Sequence, residues 1–125
     1  MSHQESFDKI KFYANDLGYD VVEVGLDSWD PHTKIICNNK RRVLPNRNIY
    51  LLHEVGHALL FLKYEDIYYD LFPGFENESH KDVSEFEVES LAWEYGLELA
   101  TKKLRIDLDM RRFASIKTSC LKSYR

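Results

Sequence analysis

The chain has 125 residues, 44% of them hydrophobic and 14% aromatic, with a formal charge of −4. That length suits one domain with a core of its own, and the composition excludes disorder, collagen-like repeats and coiled coil. The negative total argues against a bulk polyanion binder, although the charge is uneven: residues 65–100 carry eleven carboxylates against one lysine, and residues 101–125 eight cations against two carboxylates. Phe7, Ile10, Ala14 and Leu17 recur at helical spacing, with Gly18 placed as a stop. Asp20 to Val24 is short and β-branched and reads as a strand; Gly25 to Pro31 is rich in turn formers and reads as loop. Thr33 to Cys37 suggests a second strand, ended by Asn38, Asn39 and the basic cluster Lys40-Arg41-Arg42.

From Asn48 to about Tyr64 the sequence is apolar nearly all round, which predicts a central helix covered on most sides and capped by Asn46 or Asn48. Residues 65–81, through Pro73-Gly74, read as loop. A long helix follows from about Val83 to Leu104, in which Phe86, Leu91, Trp93, Leu97 and Leu99 are apolar positions and Gly96 implies a close helix crossing. An amphipathic helix near Asp109 to Ser123 closes the chain. Cys37 and Cys120, without CxxC spacing and among apolar neighbours, are expected as buried free thiols. Residues 1–5 lack a basic stretch leading into an apolar one, and there is no run of 18 apolar residues, so a cytoplasmic location without membrane association is expected.

The polar residues of the central helix need a reason, and they are His53, Glu54 and His57. His53-Glu54-Val55-Gly56-His57 is an H-E-x-x-H motif. Side chains four apart on a helix are rotated by only ~40° and separated by ~6 Å along the axis, so both imidazoles can reach one tetrahedral Zn²⁺. Glu54, one residue on, lies beside the open coordination position, where it can take a proton from the attacking water. At this chain's own His and Glu frequencies about 0.02 such motifs arise by chance. The bland alternative is a satisfied polar cluster on a core helix. An apolar helix makes that alternative expensive, because two imidazoles and a carboxylate are costly to bury without partners. Gly56, between the histidines, leaves room for another backbone or for a substrate.

A zinc site needs a third protein ligand. His3, His32 and His80 are poorly placed: near an end, in the loop after Trp29, and ahead of the long helix. The acidic helix offers Glu85, Glu87, Glu89 and Glu94. Glu89 lies in a segment patterned for burial and would complete a His₂Glu site; Glu85, one turn earlier, shares its face and remains the alternative.

Tyr50-Leu51-Leu52-His53-Glu54-Val55-Gly56-His57-Ala58-Leu59-Leu60, with the later Glu89-Ser90-Leu91-Ala92-Trp93, resembles the ImmA/IrrE-type metallopeptidases, and most closely their compact stand-alone, phage-type members. The ending Cys120-Leu121-Lys122-Ser123-Tyr124-Arg125 is similar too. The resemblance implies an α+β, minimal zincin-like domain over residues 1–125, in which a small sheet packs on the active-site helix and a glutamate helix. It implies His53, His57 and Glu89 as zinc ligands and Glu54 as general acid/base. It also implies a protein substrate, with transcriptional repressors as the class that members cleave.

The leading expectation is therefore a zinc-dependent endopeptidase whose extended substrate adds to a sheet edge at Thr33 to Asn38. Oxyanion help is expected from a Tyr or from His80. The competing class is a metal-binding interaction module with little or no peptidase activity; retention of Glu54 argues against it, since a structural site needs no carboxylate at the open position. Nucleic-acid binding through the basic tail (Lys102, Lys103, Arg105, Arg111, Arg112, Lys117, Lys122 and Arg125) is a third class, set aside because the total charge is negative and no recognised motif is present.

Overall fold

A computed structural model of the chain describes residues 2–64 and 84–124. Within them the architecture is α+β: a three-stranded sheet and four α-helices. Helix α1, His3–Asp16, opens on a reciprocal capping box between Ser2 and Glu5 and buries Phe7, Ile10 and Ala14. It closes at Leu17, and Gly18 turns the chain at φ 96°, a left-handed conformation suited to glycine.

Strands β1 (Asp20–Val24), β2 (Ser28–Asp30) and β3 (Ile35–Asn39) form a sheet of order β1-β3-β2. β1 pairs parallel to β3, with Val21 opposite Ile36, and β2 pairs antiparallel to it, with Trp29 opposite Ile36. Three expectations change here. Gly25 to Pro31 is not all loop, because β2 lies within it. Asn38 and Asn39 do not end the second strand but belong to it: Asn38 is buried with its amide donating to the Arg47 carbonyl (3.1 Å) and its oxygen accepting from Arg47 Nε (2.9 Å), while the Asn39 N–H donates to Asp27 (2.9 Å). Most consequentially, Thr33 to Asn38 is no sheet edge. β3 is the central strand of the described sheet, flanked on both sides.

Helix α2, Leu44–Lys63, starts earlier than the sequence suggests. Val43 occupies the cap position without a side-chain hydrogen bond, and Pro45 in the first turn pre-sets the helical φ, so neither Asn46 nor Asn48 is the cap. Asn48 is instead buried, with its Nδ2 donating to the His3 carbonyl at 3.0 Å, which ties α2 to the start of α1. α2 buries Leu51, Leu52, Val55 and Ala58 against α1 and the sheet. Helix α3, Glu85–Glu98, is capped by the Ser84 hydroxyl and runs on into a π-helical turn, Leu99–Lys103. Helix α4, Met110–Leu121, is capped by Asp109 and buries Phe113 and Leu121 beside Ile49 and Trp93. A 3₁₀ turn, Lys122–Tyr124, follows. The loop expected at 65–81, the start of the long helix at Val83, and His80 lie outside the described residues.

The crossing of α2 and α3 positions the site. A Cβ at Gly56 would collide with the Ala92 carbonyl oxygen, and one at Gly96 would sit 2.5 Å from the Leu52 carbonyl oxygen. Two glycines therefore let the helix backbones touch, one from each helix. Of the two uses open to Gly56, the structure assigns the approach of another backbone. No helix among the described residues is long and apolar enough to cross a membrane.

Candidate metal centre

The α2–α3 contact brings three donors together. His53 and His57 project from one face of α2, and Glu89 reaches them from α3, one turn before the Ala92–Gly56 contact. His53 Nε2 and His57 Nε2 lie 2.8 and 2.9 Å from the same carboxylate oxygen, Glu89 Oε2. The donor atoms of this trio all fall within 4.8 Å of one another. Glu89 and His57 are buried, and His53 is half-buried. Of the two candidates for the third position, Glu89 and not Glu85 lies beside the histidines. Glu85, Glu87 and Glu94 are all exposed, as are His3 and His32.

The donor set fits a divalent ion. Two imidazole nitrogens and one carboxylate oxygen suit zinc, and a tetrahedral ion at ~2.0–2.1 Å from each donor holds neighbouring donors about 3.3 Å apart. The two spacings to Glu89 Oε2 are a few tenths of an ångström shorter, a difference that a small withdrawal of the Glu89 carboxylate makes up. Taking an ion also requires both Nε2 atoms to be deprotonated, so uptake is coupled to proton release.

Glu54 is buried beside the trio without joining it. Its Oε1 is 3.7 Å from His53 Nδ1, beyond hydrogen-bond length. Burial pushes its carboxyl up to about 7; His53 opposes this, and the charges of Glu89 and Asp27 add to it. Glu89 behaves in the opposite way. Burial resists its ionisation, but hydrogen bonds and charge from His53 and His57 outweigh burial and hold the carboxyl well below the usual carboxylate range. Two neighbouring carboxyls are thus driven apart, one towards a stable anion and the other towards a group that exchanges a proton near neutrality.

His53 and Glu89 border a cleft of about 460 Å³ that is also lined by Glu54, Arg42, Tyr50 and Tyr124. The Arg42 guanidinium lies 3.8 Å over the Tyr50 ring and pairs with Asp27 at 2.9 Å. Tyr124 faces Glu89, and burial, followed by the charge of that carboxylate and a hydrogen bond to it, pushes its phenol up to about 12. Cys120 also borders the cleft. Both cysteines are free thiols, as expected, but each is half-buried rather than buried.

Four residues that shape this site, Trp29, Trp93, Arg42 and Tyr124, are not singled out as site residues by the sequence, which points only to an unspecified Tyr or to His80 for oxyanion help. Trp93 had a usable signal, since it lies four positions after Glu89 and so shares that helix face. Trp29 had only its isolation as a large apolar side chain in a turn-rich stretch. Comparison of the chain with models of known protein families, with curated proteins and with solved structures finds no match.

Proposed function

We propose that the chain is a zinc-dependent peptidase of zincin-like fold and ImmA/IrrE-type character, acting on a protein substrate of which a transcriptional repressor is the candidate class. The observation that carries this reading is the convergence of His53, His57 and Glu89 on one point, with a buried carboxyl, Glu54, beside them and outside the ligand set. Zinc held by the trio would supply Lewis acidity for the scissile carbonyl and acidify the attacking water.

The chain's own residues supply the rest. Glu54 accepts the proton that the attacking water gives up and delivers it to the departing amine nitrogen, a shuttle suited to a buried carboxyl that lies beside the trio and outside it. Glu89 stays ionised, offsets the positive charge at the centre and keeps its oxygen on the histidine side. Tyr124, whose phenol keeps its proton and which borders the same cleft beside Glu89, is the candidate hydrogen-bond donor for charge developing on the carbonyl oxygen. An extended substrate would pair with β2, an edge strand of the described sheet, which carries Trp29 to the ring of His57.

A cell lysate serves as the source of substrate. Zinc-loaded wild type and Glu54→Gln are each incubated with it, and newly created protein N-termini are mapped. Wild type should generate a small, reproducible set that Glu54→Gln does not, while both hold one zinc per chain. Equal profiles from two zinc-loaded proteins would favour the interaction-module class instead.

A further inference from the structure

Both imidazoles of the trio lie flat against an indole. The rings of His53 and Trp93 have centroids 4.2 Å apart and planes 5° apart; those of His57 and Trp29 are 5.6 Å and 15° apart. These are the only two tryptophans in the chain. One comes from α3 and the other from β2, so two unrelated elements each deliver an indole to one histidine.

Packing alone does not account for the choice of tryptophan at position 93. The side chain is fully buried, yet its Nε1–H has no hydrogen-bond partner among the described residues. Orphaning a buried donor costs stability, and a phenylalanine would fill a core without that cost. What the indole adds is a wide flat face. A ligating imidazole is ordinarily fixed in its plane by a hydrogen bond from its second ring nitrogen. At His53 that nitrogen, Nδ1, is 3.7 Å from Glu54 Oε1, too far for such a bond. Rotation about the last side-chain torsion of histidine is intrinsically soft, so some other contact must hold the ring. The Trp93 face is that contact. Phe113 of α4 braces Trp93 edge-on at 5.5 Å and 84°. Trp29 is braced in turn by Phe61, edge-on at 5.6 Å, and its Nε1–H donates to the Tyr19 hydroxyl at 3.3 Å.

We propose that Trp93 and Trp29 are positioning residues of the metal centre, each fixing the plane of one ligand imidazole by stacking so that both Nε2 atoms point at a common ion. The inference rests on the reading of His53, His57 and Glu89 as a zinc site. It makes Glu89 and Trp93 one device: a single turn of α3 brings a carboxylate to the donor atoms and an aromatic face to the ring behind one of them.

The experiment measures zinc affinity by competition with a chromogenic chelator at fixed pH, and ligand geometry from the visible absorption of the cobalt-substituted protein. The chains compared are wild type, Trp93→Phe, Trp93→Met and Trp29→Leu. Trp93→Phe keeps a narrower aromatic face and should weaken zinc binding less than Trp93→Met does, with a cobalt spectrum between those of wild type and Trp93→Met. Trp93→Met and Trp29→Leu remove the face and should bind zinc about 10-fold more weakly or worse, with an altered cobalt spectrum. A residue that only fills the core would lower stability and leave the spectrum of the folded protein unchanged. Wild-type affinity and spectrum in folded Trp93→Met or in Trp29→Leu would overturn the proposal. Should Trp93→Met fail to fold, Trp29→Leu decides, since Trp29 is only half-buried. A wild-type chain that takes up neither metal would refute the zinc reading itself, a result distinct from wild-type binding that the variants share.

Discussion

The carboxylates around the two histidines are told apart by burial and by what they touch. Glu85 and Glu89 occupy the same face of α3, so periodicity alone leaves both open; the structure buries Glu89 against both Nε2 atoms and leaves Glu85 exposed. Glu89→Ala should accordingly weaken zinc binding by more than about 100-fold, since a ligand loss exceeds the usual loss from an outer-shell partner. Glu85→Ala should stay within about twofold of wild type. Chelator competition on both variants checks the pair. Glu54 carries a second prediction, for the protein stripped of metal. Its folded carboxyl titrates at about 7 against an ordinary 4.5, so the native state holds the proton more tightly than the unfolded chain. Its contribution to stability is therefore intact below about pH 4.5 and lost as pH rises through 7. Glu54→Gln removes that dependence. From pH 5 to pH 8 the variant should gain on wild type by on the order of 3 kcal/mol. Urea unfolding at both pH values measures it; a constant difference between the two proteins would mean the carboxyl is not elevated.

At the scale of elements, what was legible in the sequence is what local pattern encodes. The span of β1, the helical character of α1 and α4 and the H-E-x-x-H helix all follow from periodicity, caps and β-branching. β2 does not, because three residues set among Gly25, Asp27 and Pro31 have no local preference for a strand and gain it only by pairing with β3. The same missing partner made β3 look like an edge. The start of α2 was obscured by its choice of Pro45 over a side-chain cap. Gly96, in contrast, signalled a crossing from sequence alone, because a glycine inside a helix asks for a reason, and the structure supplies it at the Leu52 carbonyl. That crossing sets how far Glu89 reaches. Gly56→Ala should force the helices apart, destabilise the fold by roughly 1–3 kcal/mol or more, and weaken zinc binding with it. Denaturant unfolding and metal affinity should fall together; a Gly56→Ala protein with wild-type values for both would show that the contact does not set the site. At α4, Asp109→Ala removes the side-chain cap on the Arg112 N–H and should cost about 1 kcal/mol, read from the urea midpoint, with little effect on zinc affinity.

For the molecule as a whole, the candidate ligands come from two helices held together by buried packing, so an ion bound there would cross-link the fold. Binding to the native state alone stabilises by RT ln(1 + [L]/Kd), about 2.7 kcal/mol at a hundredfold excess over Kd, which for a chain of this size raises Tm by roughly 10 °C. His57→Ala should show no such rise on adding zinc. The measurement that bears most directly on the central claim is the zinc content, by elemental analysis, of wild type, Glu89→Ala and Glu54→Gln purified without chelator. A centre built from His53, His57 and Glu89, with Glu54 as proton carrier and not ligand, predicts one zinc per chain in wild type and in Glu54→Gln and little in Glu89→Ala. Wild type without stoichiometric metal, or a Glu54→Gln protein that loses it, would contradict that assignment.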